Sequence, residues 1–400
     1  MIEPHRPALE AAANAPMLAQ VRQWAAINSG SRHLAGLATT ADLLAAAFSI
    51  LPGEVRLLDP VPVDEIDREG RAVPLALGRN LAVSVRPDAP VRVLLTGHMD
   101  TVYGADHPFQ TLTDRPDGMI VGPGVADMKG GIALMLAGLA AIERSPLAAR
   151  IGYDVVINSD EEIGSPGSAA LIAEKAAGKL AALTYEPSLL PDGTLAGARP
   201  GSGNLSIVIT GRPAHAGRNP EDGRNAIVAA GDLALRFARA VRPGLSINPA
   251  RIDGGGPNNI VPDQAILRVN LRPATPADQA DAERLVARLT AAVAAEHDVG
   301  IHVHGGFGRP PKPIDGRTER LYRLVQDSSA ALGRAIGWQP TGGVCDGNNI
   351  AACGIPVVDT MGARGGAIHS ADEFLLVDSL AERAALSALT IMRIAEKGGL

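Results

Sequence analysis

Val91-Arg-Val-Leu-Leu-Thr-Gly-His-Met-Asp100 is the stretch whose reading decides the fold. Five of its first six residues are apolar or β-branched, and the run stops at Gly97. A strand that is apolar on both faces, rather than alternating, is a buried strand of a parallel sheet. His98 and Asp100 therefore fall just past its C-terminal edge, where open α/β sheets bind their ligands. Two further segments are built alike. Gly124-Val-Ala-Asp-Met-Lys-Gly-Gly131 leads into an Ala/Leu-rich helix, and Val155-Val-Ile-Asn-Ser-Asp-Glu-Glu162 is an apolar run ending in carboxylates. Three edges bearing metal-ligand residue types imply one converging polar site.

Outward from that strand, the chain alternates. Residues 8–27 and 40–50 read as helices, with Thr40 capping the second and Pro52-Gly53 ending it. Strands are expected at 55–58, 81–85, 91–95, 153–158 and 182–185, and helices at 129–143 and 167–177, with Asp127 just before the first of these. This is an α/β fold, a mostly parallel sheet with helices on both faces. The character changes near Pro200. Residues 201–311 parse alone as strand (204–210), helix (226–240), strand (246–252), strand (264–271), helix (276–295) and strand (300–304). That β-α-β-β-α-β order is ferredoxin-like. A helix at 318–332, a strand at 355–359 and a helix at 378–395 follow. The expected organisation is a catalytic domain from 1–200 and 312–400, with 201–311 inserted.

The 400 residues are enough for two such domains. The formal charge of −6, from 37 Lys+Arg against 43 Asp+Glu, gives no basis for a nucleic-acid or anionic-membrane partner. No run approaches the ~20 apolar residues of a membrane span. The start, Met-Ile-Glu-Pro-His-Arg-Pro, has neither a basic nor an apolar leader region, so a cytoplasmic location is expected. Cys345 and Cys353 lack CxxC spacing and are read as free thiols.

A hydrolytic two-metal site needs nitrogen and oxygen ligands from several elements, a bridging carboxylate and a base beside the water. His98 and His369 supply an imidazole for each ion, Asp127 is placed to bridge, and Glu162 and Glu186 complete the two shells. Adjacent Glu161 and Glu162 diverge if they continue a strand, leaving one for metal and one for water. Asp100 can accept the second imidazole N–H of His98. Each residue also has an ordinary reading: Asp127 as a helix cap, 160–162 as a solvated turn, either histidine as a surface residue.

Taken together, His98-Met-Asp100, Gly124-Val-Ala-Asp127-Met-Lys-Gly-Gly131 and Asp160-Glu-Glu-Ile-Gly-Ser165 resemble the zinc exopeptidase and aminoacylase family. That family includes glutamate carboxypeptidase, acetylornithine deacetylase and succinyl-diaminopimelate desuccinylase. The resemblance extends to Trp24-Ala-Ala-Ile-Asn-Ser-Gly-Ser31, Ala214-His-Ala-Gly217 and His369-Ser370, and so to nearly the whole chain. It implies two zinc ions per subunit, with cobalt and manganese suiting the same donors. His98, Asp127, Glu162, Glu186 and His369 would be the ligands, with Asp127 bridging. Glu161 would be the general base that takes a proton from the bridging water and passes it to the leaving nitrogen. His215 would reach the scissile carbonyl of the partner subunit, making 201–311 both a lid and the interface of a homodimer.

Asn259, and Arg309 in Gly-Arg-Pro, resemble carboxylate-binding positions of the glutamate carboxypeptidase branch; Arg272 is a further candidate. A guanidinium fork suits a carboxylate. The expected activity is therefore hydrolysis of an amide next to a free C-terminal carboxylate, in a small N-acyl amino acid or peptide. The rival readings are a deacylase of small N-acyl amino acids and a binding protein without turnover. Cys345 stands where the family pattern often has a small or hydroxyl residue.

Overall fold

The computed structural model describes residues 3–400. Its main sheet has six strands in the spatial order Glu54–Leu58, Asn80–Val85, Ile151–Asn158, Val91–His98, Ala181–Thr184 and Val357–Val358. Only Asn80–Val85 runs against the rest. The sheet is thus mostly parallel. Alternation along Val91–His98 explains why both faces are apolar. Val93 and Leu95 point into a core built with helices Arg6–Ala13, Gly131–Ile142 and Asp378–Lys397. Leu94 points the other way, onto Ile172 and Ile350 of helices Ala169–Ala176 and Asp346–Ala352.

Local readings needed correction in three places. The helix expected over 8–27 is two, Arg6–Ala13 and Met17–Ala25, because Pro16 cannot donate to the turn before it. The next helix begins at Leu34, so Thr40 is interior rather than a cap, and its hydroxyl donates to Gly36 O at 2.9 Å. The last strand of the 201–311 segment runs on from Gly300 to Arg309, which carries its end against helix Asp346–Ala352 of the main body.

Residues 202–309 form a second sheet, in the order Leu245–Gly254, Gln264–Pro273, Ser202–Thr210, Gly300–Arg309, with every pairing antiparallel. Helices Ala226–Arg239 and Pro276–His297 cover one face and close a separate core around Ile207, Leu233, Phe237 and Leu267. The other face is met by a hairpin of the main body, Asp64–Ile66 with Ala72–Pro74, whose Ile66 packs on Val208 and Ile266. The most apolar helix stretch, Val125–Ile142, lies 94% buried inside the protein.

Candidate metal centre and active site

The C-terminal edges of the parallel strands gather the carboxylates and imidazoles. His98 ends its strand; Glu161 and Glu162 follow Asn158, and Glu186 follows Thr184. Asp127 comes from the turn Val125–Gly130 that precedes helix Gly131–Ile142, not from the helix itself. This turn packs tightly. A Cβ on Gly131 would stand 2.0 Å from Tyr185 O, and one on Gly362 would stand 2.5 Å from Glu186 O. Only glycine allows the turn and the strand that delivers Glu186 to come so close. His369 sits in a loop at φ 62°, the left-handed region, which a non-glycine residue adopts at a cost of about 1–3 kcal/mol.

Asp127 divides the cluster in two. Its Oδ1 lies 3.1 Å from His98 Nε2, and its Oδ2 lies 3.3 Å from His369 Nε2. On the first side, Glu186 Oε2 is 3.7 Å from the same His98 nitrogen. On the second, Glu162 Oε2 is 3.2 Å from His369 Nε2. One carboxylate thus faces two half-sites, each with an imidazole and a further glutamate. Glu161 has a carboxylate oxygen within 4.8 Å of ligand atoms of both His98 and Glu186. Glu161 and Glu162 do diverge, but not as neighbours on a strand. They occupy a single helical turn, Glu161–Ile163, whose first two N–H groups donate to Asp100 Oδ1 and Oδ2 at 3.2 and 3.1 Å. The Asp100 carbonyl, 3.0 Å from His98 Nδ1, is nearer to that ring nitrogen than its carboxylate at 3.3 Å.

The electrostatics fit cations. Burial pushes Glu161 and Glu186 up to about 8 and Glu162 up to about 7. Burial would depress His98, but Glu186, Asp100 and Asp127 raise it well above its ordinary value. Hydrogen bonds to the Asp127 and Glu162 carboxylates lift His369 to about 11. Burial would raise Asp127 too, yet His369 and His98 hold it well below the carboxylate range. Carboxylates crowded out of water compete for protons unless divalent charge replaces them. The donors are imidazole nitrogens and hard oxygens, the set that suits zinc, cobalt or manganese.

A cavity of about 970 Å³ opens from this cluster, between the main body and the second sheet. Arg272 lines it, donating through Nε to Asn270 Oδ1 at 3.0 Å and through Nη1 to Gly342 O at 3.1 Å, with Nη2 unpaired among the described residues. Arg309 lines it as well but is not open to a ligand: its guanidinium is spent on Glu161 and Asp346. The expectation that Arg309 takes a substrate carboxylate meets this occupied geometry. Cys345 is buried at the start of helix Asp346–Ala352, where Gly347 N donates to its sulfur at 3.4 Å and burial pushes the thiol well up. Both cysteines are free. His215 and Asn259 lie outside the cavity of their own chain. His215 is exposed, its Nδ1 taking the N–H groups of Gly217 and Arg218, and Asn259 O accepts from Ala216 N beside it.

Sequence reasoning missed Glu373. Its Oε1 accepts Ala126 N and Asp127 N at 3.0 and 3.1 Å, and its Oε2 accepts Gly124 N and the Tyr103 hydroxyl at 3.2 and 2.9 Å. It therefore ties the loop of His369 to the turn of Asp127. A carboxylate four residues after a candidate ligand was the available signal. Ser31, whose hydroxyl donates to Asp100 Oδ2 at 2.7 Å, and Asp346 were missed as well.

Oxygen and imidazole donors around a shared carboxylate, at the ligand-binding edge of a parallel sheet, define a metal-dependent hydrolase of peptide or amide bonds. The chain belongs to peptidase family M20/M25/M40, whose pattern matches residues 94–393. Carboxypeptidase G2 of Pseudomonas sp. (strain RS-16) is 31% identical over 366 residues, covering 88% of this chain and 84% of that protein. Succinyl-diaminopimelate desuccinylase of Xanthomonas oryzae pv. oryzae is 31% identical over 341 residues, covering 79% and 86%. Among solved structures, a tripeptidase from Staphylococcus aureus superposes with a TM-score of 0.72 at 25% identity, covering 95% of this chain and 98% of that one.

Proposed function

We propose that the protein is a dinuclear zinc hydrolase that cleaves the amide next to a free C-terminal carboxylate, releasing an amino acid from an N-acyl or peptide conjugate. The observation that carries this reading is Asp127, whose two oxygens face two histidines in separate half-sites. His98, Asp127 and Glu186 would hold one ion and His369, Asp127 and Glu162 the other. When bound, the cations supply Lewis acidity that acidifies water and polarises the carbonyl. The chain's own work is the proton. Glu161 takes it from the attacking water and returns it to the leaving nitrogen. Asp100 holds the Glu161–Ile163 turn and, through its carbonyl, the His98 ring. With Arg309 engaged, Arg272 Nη2, which has no partner among the described residues, is available to the substrate carboxylate.

Residues 201–311 are read as a ferredoxin-like lid and dimerisation domain inserted between 1–200 and 312–400. His215 and Asn259, which do not line their own cavity, would serve the partner's site in a cytoplasmic homodimer. A second reading has support of its own, because the desuccinylase is also 31% identical, though over 341 residues against 366 for the carboxypeptidase. It keeps the metals and base and cleaves small N-acyl amino acids.

The test is release of amino acid from a panel of aryl-acyl and peptidyl glutamates and N-acetyl and N-succinyl amino acids, with a chelator control. Chelator-sensitive release from the glutamates supports the carboxypeptidase reading. Release only from the N-acetyl or N-succinyl compounds selects the deacylase. No release with two metals bound refutes both.

A further inference from the structure

Arg309 ends the strand Gly300–Arg309, at the point where the chain leaves the second sheet. It is 4% exposed. Its Nη2 donates to Glu161 Oε1 at 2.7 Å, to the main-chain oxygen of Glu161 at 2.9 Å and to Ser165 Oγ at 3.1 Å. Its Nη1 donates to Asp346 Oδ1 at 2.9 Å and Asn349 Oδ1 at 3.2 Å. Asp346 is itself held, by Ser165 Oγ at 2.5 Å and Asn158 Nδ2 at 2.8 Å. A glutamate gripped at both its carboxylate and its own carbonyl by one planar fork has few rotamers left to it.

The same helix that anchors Arg309 also clamps both chain crossings. Asn348 Nδ2 donates to Pro200 O and Pro310 O at 2.9 and 2.7 Å, and Asn349 Nδ2 donates to Gly308 O at 2.8 Å. Arg309 therefore belongs mechanically to the exit strand and electrostatically to Glu161. For it to bind substrate instead, two buried carboxylates would lose their shared cation, a strongly unfavourable exchange.

We propose that Arg309 is a positioning residue: it sets the orientation of the Glu161 carboxylate toward the His98/Glu186 half of the centre and ties that orientation to the exit strand of the 201–311 segment. The inference rests on the reading of Glu161 as the base. Any shift of that segment against the main sheet is transmitted to Glu161 through one side chain.

Two measurements test this. The first is steady-state kinetics of metal-loaded wild type, Arg309→Ala and Arg309→Lys on a substrate the wild type turns over, with metal content measured alongside. Misplacing a reacting group costs about 100-fold, so Arg309→Ala should lose that much in kcat at nearly unchanged KM. Added guanidinium ion should restore part of the loss. Arg309→Lys should stay low, because an ammonium cannot span both carboxylates. A raised KM at wild-type kcat would overturn the proposal in favour of substrate binding. Should Arg309→Ala fail to fold, Asp346→Asn weakens the far anchor and its bonds to Ser165 and Asn158 while leaving the Arg309–Glu161 contact in place; it should lower kcat in the same direction with full metal content, and a wild-type kcat would count against the idea. The second measurement is independent of turnover: a crystal structure of the Arg309→Ala protein. The Glu161 carboxylate should leave its place, and an unmoved Glu161 refutes positioning even if the hydrolase reading itself had failed on the substrate panel.

Discussion

Glu373 offers the sharpest test of how Asp127, the proposed bridging ligand, is held. It is 1% exposed and accepts three main-chain N–H groups and one hydroxyl. In Glu373→Gln, one oxygen becomes an amide nitrogen. Turned toward Tyr103, that nitrogen can donate to the phenol, which reverses its own role, so only Gly124 N is left unpaired. One stranded buried donor costs about 1–3 kcal/mol. Glu373→Ala strands the three main-chain donors, while the Tyr103 hydroxyl keeps Ser370 O at 2.8 Å; water entering the space recovers some of them, and the expected loss is about 3–5 kcal/mol. Set against a total stability of about 5–15 kcal/mol, the alanine variant is marginal and the glutamine variant is the informative one. Because the groups released are the backbone of Asp127 and its neighbours, metal affinity should fall with stability, by about 10–100-fold, as for other partners that orient ligands. Urea unfolding with and without zinc, and competition against a chromophoric chelator, measure the two effects. Variants within about 0.5 kcal/mol of wild type, as for an ordinary surface change, and with wild-type zinc affinity would refute the reasoning.

Three further outcomes are expected. Glu161→Gln should keep both metals and lose about 10²–10⁴-fold in kcat, since it removes proton transfer and leaves the ligands in place; near-normal turnover with full metal would end the base assignment. If His215 acts on the partner's site, Glu161→Gln and His215→Ala proteins, each nearly inactive, should regain about a quarter of wild-type activity when their subunits are exchanged, because each hybrid dimer rebuilds one intact site. Mixtures that stay inactive after verified exchange would place His215 elsewhere. The metal-free protein should lose stability as pH rises from about 5 to 9. Glu161, Glu162, Glu186 and His369 all have folded pKa values above their unfolded ones, at about 8, 7, 8 and 11. The folded state therefore binds more protons than the unfolded state throughout that window, and stability falls with pH. Asp127, shifted the other way, acts only under acid conditions. Thermal melts of chelated protein against pH read this directly; a flat or rising curve contradicts it, and bound zinc should level the slope.

The candidate cluster was legible because most of its residues obey a local rule. His98, Glu161, Glu162 and Glu186 stand at or just past the ends of apolar strands and Asp127 in the turn before a helix, so the pattern that announces the strand also announces the residue at its edge; His369, in a loop, does not follow it. The apolar run at 91–96 implies a buried strand, and the buried strand places His98. The long helices of the second sheet were readable for a similar reason. Thr275 at the start of Pro276–His297 accepts from Asp278 N at 3.1 Å, a cap with a proline behind it, and the apolar spacing continues for several turns.

What the sequence hid are the residues that act through other residues. Nothing near Arg309 in the chain distinguishes a guanidinium aimed at a substrate from one aimed at Glu161, 148 positions away. The Gly-Arg-Pro context fixes a backbone, not a partner. The same holds for Glu373, whose main-chain donors lie almost 250 residues away in the chain. Positioning groups need only a charge of the right sign at the right place in three dimensions, and any element that passes by can deliver it. Ligands are constrained by strand geometry as well as by chemistry, and so leave two marks in the sequence where a positioning residue leaves one. The difference bears on engineering this site. Transplanting the ligands onto another α/β edge would carry over the metal chemistry without the grip on Glu161, and proton transfer would then depend on whatever side chain the new scaffold happened to offer in place of Arg309.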